Sequence, residues 1–332
     1  MRSALHIGLT GWMLLSVAGC GLFVDRLPEG VVLDRTVQDR FVNLDGVKHH
    51  YREWPGPGRD IFLQHGFGSS TYTWEWLAPQ LNAAGYHVWA LDLRGFGWSD
   101  KPQDAAYDPR ALLADMHHFL DDKGLRDLIL IGHSLGGGLA WMTAVERPDL
   151  VQRLVLIDAA GYTGSVPAVI HLASWPLADQ QMELVFGRWA VRWVLGEVYQ
   201  QDSLLTDDRV DAYYDRLRTR GMLHAQAELS RSLLDETMHR MSQRIPEVQQ
   251  PTLILWGAHD IWLPPEQGQR FHQDIAGSRL QVLDCCGHMP QEESPEEVAR
   301  LILDFLRSTE PVEGLTTSAP ASQPSGAEAE RP

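Results

Sequence analysis

Cysteine is scarce in this chain: 332 residues hold only Cys20, Cys285 and Cys286, and two of these are neighbours. Adjacent cysteines exclude an ordinary disulfide framework, and no cysteine or histidine spacing fits a zinc site, so neither a metal nor another cofactor is expected. Basic residues are also few. Lys and Arg total 28 against 44 Asp and Glu, for a formal charge of -16. That balance disfavours a phosphate backbone or an anionic membrane surface, and excludes nucleic acid as an expected partner. The apolar stretch from Ala4 to Ala18 is shorter than the ~20 residues a spanning helix needs. No internal repeat is evident, which excludes a solenoid.

What the two ends do contain is not fold. Arg2 followed by Ala4 to Ala18 has the form of a signal sequence, and the stretch closes on Val17-Ala18-Gly19-Cys20. This closing segment resembles the lipobox of bacterial lipoprotein signals. The resemblance implies cleavage before Cys20, acylation of that residue, export to the cell envelope and attachment to a membrane through the lipid. An ordinary signal peptide or a short anchor that happens to hold a cysteine is the other reading. Residues 1–19 are thus assigned to the signal and 20–40 to a linker. From Thr309 the sequence is rich in Pro, Ser, Ala, Gly and Glu and poor in large apolar groups, so 309–332 is expected to be a disordered tail.

Between these ends, short apolar runs alternate with helical patterns. Strands are predicted at Val47–Trp54, Ile61–Gln64, His87–Leu91, Leu128–Gly132, Leu154–Asp158, Thr252–Trp256 and Leu280–Leu283. Helical spacing marks Tyr72–Ala84, Ala111–Lys123, Leu135–Val145, Pro265–Asp274 and Pro295–Leu306. This alternation predicts an α/β fold with a mostly parallel, doubly wound sheet. It breaks once, from about Gly161 to Gln250, where helix-like sequence carries Trp175, Phe186, Trp189, Trp193, Tyr199, Tyr213, Tyr214 and Met222. Residues 161–250 are expected to form an inserted helical cap, flanked by core segments 41–160 and 251–308. The cap aromatics either form the cap's own core or line a substrate pocket.

The most specific local feature is the apolar strand Leu128-Ile129-Leu130-Ile131 running into Gly132-His133-Ser134-Leu135-Gly136 and then a helical pattern. This strand, Gly-x-Ser-x-Gly turn and helix read as a nucleophile elbow, in which the glycines avoid Cβ clashes around a sharply turned serine, the other reading being a Gly-rich strand-to-helix turn with a solvent-facing serine. A serine hydroxyl needs a base, and the base needs an orienting acid. Asp260, after the strand Leu253-Ile254-Leu255-Trp256, and His288, on a loop expected to be exposed, follow Ser134 in the order this arrangement uses. Asp158 also ends an apolar strand and competes with Asp260 for the acid position. The strand before His65-Gly66-Phe67-Gly68 places the Phe67 amide, with that of Leu135, as candidates for the oxyanion hole. The tandem pairs His49-His50 and His117-His118 are read as solvated faces or polar contacts, and Cys285 and Cys286 as core packing.

From about Val47 to Leu306 the chain resembles the capped α/β-hydrolase superfamily. Asp92-Leu93-Arg94-Gly95-Phe96-Gly97-Trp98-Ser99-Asp100 is similar to the loop after that family's fourth strand, and Trp256-Gly257 through Asp260 to Pro264 to its acid-bearing loop. The Gly-His-Ser-x-Gly-Gly elbow looks most like those of the esterase, haloperoxidase-like and carbon–carbon hydrolase branches. Haloalkane dehalogenases and epoxide hydrolases carry an aspartate at the elbow, against which Ser134 argues. The resemblance implies a serine hydrolase acting on a small-molecule carboxylic ester or related acyl substrate. Carbon–carbon bond hydrolysis, acyl transfer to another acceptor, and a catalytically silent envelope-binding protein are the rivals.

Overall fold

Strands with side chains buried on both faces read as continuous apolar runs, and three central strands of this chain do so. The computed structural model describes residues 26–27, 31–162, 166–176, 178, 181–182, 186–235 and 240–309. Cys20, the signal segment and the tail beyond 309 lie outside the described residues. The strands are β1 (Asp39–Leu44), β2 (Val47–Trp54), β3 (Asp60–Gln64), β4 (His87–Leu91), β5 (Leu128–His133), β6 (Val151–Ile157), β7 (Thr252–Gly257) and β8 (Arg279–Leu283). They form one sheet in the order β1-β2-β4-β3-β5-β6-β7-β8. The β1/β2 and β2/β4 pairs are antiparallel and all others parallel.

Side chains alternate across this sheet into two cores. Ile61, Leu63, Ile129, Ile131, Val155 and Ile157 point to one face, where α1 (Ala78–Ala83) and α10 (Pro295–Thr309) pack. Phe62, Leu130, Leu154, Leu156, Ile254 and Trp256 point to the other, beneath α2 (Pro109–Asp122), α3 (Leu135–Glu146) and α8 (Pro265–Asp274). Between β6 and β7 the described residues contain helices and no strand: α4 (Ala168–Ala173), α5 (Arg188–Val198), α6 (Asp207–Leu217) and α7 (Met222–Leu233). The short α9 (Pro290–Glu293) follows β8. Ser134, Asp158, Asp260 and His288 all lie beyond the carboxyl ends of neighbouring strands, where open α/β sheets hold their sites.

Two elements differ from the sequence reading. β1 was not expected, because Asp39, Arg40 and Asn43 break its apolar character at the edge of the sheet. Its signal lies in the turn: Asp45 and Gly46 have φ of 49° and 86°, the two positive angles of a type I′ hairpin. The helix expected over Tyr72–Ala84 is instead a 3₁₀ turn at Thr71–Trp74 followed by α1. Pro79 has no N–H to continue a preceding helix and sits in the first turn of the new one.

Candidate active site

Ser134 stands between the last residue of β5 and the first of α3 with φ 52° and ψ -120°, a strained conformation for a residue with a Cβ. Surrounding hydrogen bonds fix it there. Its N–H donates to Ile157 O at 3.0 Å, and its carbonyl accepts from Gly138 at 3.1 Å and Ala160 at 2.9 Å. A Cβ on Gly132 would fall 2.3 Å from Gly136 O, and one on Gly136 would fall 2.2 Å from Gln64 O. The glycines at both ends of the motif are therefore steric requirements. Gly66 packs against the serine itself, where an added Cβ would lie 2.8 Å from Ser134 Cβ.

His288 follows β8 and is 2% exposed. Its Nδ1 lies 2.7 Å from Asp260 Oδ2. Asp260 Oδ1 accepts from the Trp262 and Leu263 amides at 2.8 and 2.9 Å, which holds the carboxylate in one orientation. With Nδ1–H donated to Asp260, Nε2 is the nitrogen left to take a proton. His133, beside the serine, bonds through Nε2 to His288 O at 2.7 Å. Burial, with the neighbouring His288, holds its pKa well below the ordinary value, so His133 is neutral and Nε2–H is the donor.

Asp158 is buried in the same place with φ 41°. Its Oδ1 accepts from Gly257 N–H at 2.9 Å. Burial first, and then the charge of Asp260, push its carboxyl well above the usual carboxylate range. Asp158 is therefore held as a neutral acid beside a carboxylate that accepts from His288 and from two backbone amides. One ligand-type atom from each of Asp158, Asp260 and His288 lies within 4.8 Å of the others. A cation in that trio would have to displace the His288 contact on Asp260 Oδ2, so the arrangement suits proton handling better than metal binding.

Two cavities flank this group. Ser134 and Leu135 line one, with Tyr162, Ile170 and Leu263. His288, Met289, Phe186, Leu195 and Tyr213 line the other, and Phe67 and Trp262 border both. The Leu135 amide opens α3, so it is among the N–H groups a helix leaves unpaired, at its partially positive end. Phe67 follows Gly66 in a turn closed by Ser69 N–H to Gly66 O at 3.3 Å.

Several details correct the sequence reading. The loop of His288 is not exposed: its N–H donates to Val198 O at the end of α5, at 2.8 Å, and the cap covers it. Cys286 is buried, but Cys285 is exposed and does not pack in the core. Of the two readings offered for His49 and His50, polar contacts hold and solvated faces do not: both are fully buried, with His50 bridging Asp92 and Asp39 at 2.7 and 2.9 Å. The cap aromatics divide. Phe186 and Tyr213 line a cavity, while Trp175, Trp189 and Trp193 are 63%, 58% and 54% exposed and belong to neither group expected.

The sequence reading also missed Glu292 and Glu293. Glu292 is buried and accepts from Thr73 Oγ1 at 2.6 Å, Tyr199 OH at 2.5 Å and Tyr213 OH. Burial raises its pKa, against the opposing charge of Arg209. Glu293 accepts from the Gly287, Gln200 and Gln201 amides at 2.7, 2.8 and 3.1 Å. Together they fasten the cap to the histidine loop. An acidic pair at the start of a helix looks like ordinary dipole stabilisation, so the sequence offered no distinguishing signal.

The family model described as alpha/beta hydrolase fold matches residues 61–295. A 2-hydroxy-6-oxo-2,4-heptadienoate hydrolase of Pseudomonas putida is 29% identical over 277 residues, 80% of this chain and 95% of that protein. Lipase 1 of Psychrobacter immobilis is 27% identical over 247 residues, 73% of this chain and 75% of that protein. The solved structure of a meta-cleavage product hydrolase from Pseudomonas fluorescens superposes with a TM-score of 0.68 at 25% identity, covering 82% of this chain and 98% of that one. With the mostly parallel eight-stranded sheet and the match over most of its length, the chain belongs to the α/β-hydrolase fold family and is a hydrolase of that fold.

Proposed function

We propose that this chain is an exported, lipid-anchored serine hydrolase that cleaves a carboxylic ester through an acyl-enzyme. Ser134 Oγ attacks the ester carbon as its proton passes to His288 Nε2, and Asp260 holds the imidazole and stabilises its cation. The Phe67 and Leu135 amides receive the negative oxygen. His288 then protonates the departing alcohol, and water, deprotonated by His288, releases the acid. The observation that carries this reading is the 2.7 Å contact of His288 with Asp260, next to His133, the residue preceding a serine held at φ 52°. Acylated Cys20 would hold the enzyme at a membrane of the cell envelope.

An ester is favoured over a dienoate because no Lys, Arg, Asp or Glu is among the described residues lining either cavity. A carboxylate-bearing substrate would enter such walls without a counter-ion. Carbon–carbon hydrolysis is kept as the second reading on the similarity to the Pseudomonas enzymes. Turnover on a series of p-nitrophenyl esters, against vinylogous diketones that carry a carboxylate, separates the two. Ester hydrolysis with little diketone cleavage is expected, and the reverse would overturn the proposal.

A further inference from the structure

Among the described residues of the cap, the large apolar side chains that face water include Leu172 on α4, Trp175 just past its end, and Trp189 and Trp193 on α5. Indoles this open are unusual in a domain with a well-buried core. Trp189 and Trp193 are four residues apart and share one face of α5. Ala190, Val191, Leu195 and Val198, on its other side, are buried. A helix apolar on both sides has two apolar neighbours, and only the inner one is found among the described residues. That inner neighbour is the cavity beside His288, walled by Val191 and Leu195 of α5 and by Val169 and Ala173 of α4. Of the two helices, α5 turns two tryptophans outward, and Trp175 follows the end of α4.

The start of the described chain also meets the cap, at a different point. Leu27 N–H donates to Arg218 O at 3.2 Å, and Arg26 Nη1 to Thr219 O at 3.4 Å. Both acceptors lie at the junction of α6 and α7, so the chain reaches the fold by way of the cap. Cys20 is six residues before Arg26, which places it within about 20 Å of that junction at full extension. A lipid on Cys20 would therefore bring the cap, and not the opposite end of the sheet, to the bilayer.

We propose that the outer face of α4 and α5 is a bilayer-docking surface, and that the substrate is an apolar ester dissolved in that bilayer which reaches Ser134 beneath these two helices. This rests on the ester-hydrolase and lipid-anchor readings above. The charges around the tryptophans suit a zwitterionic surface. Arg188 is paired with Asp207 and Asp211, and Arg192 with Asp207, so the flanks of α5 offer no excess of positive charge. A polybasic flank, as anionic lipid demands, is missing from these residues. Tryptophan, with an apolar ring and a polar N–H, is the side chain best suited to the headgroup boundary.

The test uses the mature full-length chain on phosphatidylcholine vesicles whose acyl chains carry bromine, a short-range quencher of indole emission. Quenching is expected in the wild type. In the triple variant Trp175→Ser, Trp189→Ser and Trp193→Ser most of it should be lost, while intact mass still shows acylated Cys20 and the protein still sediments with vesicles. The ratio of turnover on a vesicle-dissolved ester to turnover on a soluble one should fall by roughly tenfold or more in the triple variant, since without the buried indoles the anchored protein no longer holds this face against the bilayer. Equal quenching in both proteins would overturn the proposal. So would an unquenched wild type that elutes as a dimer when the variant elutes as a monomer, because the occupant would then be a second copy of this chain. A mass without acyl groups, with tryptophan-dependent quenching intact, would remove the lipid anchor and keep the docking surface. Absence of soluble-ester turnover would remove the ester reading, with quenching still deciding the docking.

Discussion

Asp158→Asn should make the protein more stable at neutral pH while leaving it active. Asp158 is fully buried, and burial with the nearby Asp260 charge keeps it protonated well above its ordinary 3.8. In the unfolded chain the same carboxyl releases its proton near pH 4. The folded state then binds the extra proton, so stability is fully present below about pH 4 and is lost as pH rises toward the folded pKa. The slope is about 1.4 kcal/mol for each pH unit within that window, undiminished by solvent because the group is not exposed. Asparagine has the same shape, its oxygen can keep the 2.9 Å bond from Gly257 N–H, and it has no proton to lose. Urea denaturation of both proteins at pH 4.5 and 5.5 should show the advantage of the variant growing as pH rises. Turnover on an activated ester should fall by less than about tenfold, because His288 rests on Asp260. A gap that does not change with pH would refute the buried neutral acid. A loss on the order of 10³ or more in turnover would make Asp158 the orienting acid.

Asp260→Asn should keep the fold, checked by circular dichroism, and lose turnover on the order of 10⁴ through the wrong imidazole tautomer and the missing charge. Ser134→Ala and His288→Ala should each lose a similarly large factor, and the double variant little more, because the two act as a unit; steady-state kinetics on one ester decides this. Cys20→Ser should leave an uncleaved or mislocalised precursor, read by intact mass and cell fractionation, whereas the wild type is expected with membranes.

The central sheet was legible because burial on both faces leaves no alternation to misread. β3, β5 and β7 appear as plain apolar runs, and their buried patterns account for this. The elbow was legible for a steric reason, since Gly132 and Gly136 have no room for a Cβ. What the sequence hid depends on distant contacts. The neutral state of Asp158 arises from Asp260, a hundred positions away, across two loops that meet above the sheet. The burial of His288 depends on the Val198 carbonyl at the end of a cap helix. Trp189 and Trp193 keep the same four-residue spacing as a core stripe, and periodicity alone does not say which side of a helix is covered. The edge strand β1 had a readable Asp45-Gly46 turn, but its polar residues masked it.

The most direct test of the chemistry is covalent trapping. A fluorophosphonate, incubated with the folded wild-type protein and located by peptide mass, should add one phosphonyl group to Ser134 and abolish ester turnover in proportion. His288→Ala should label far more slowly. No adduct on the folded protein, or an adduct on another residue with Ser134 unmodified, would contradict the assignment of Ser134 as nucleophile.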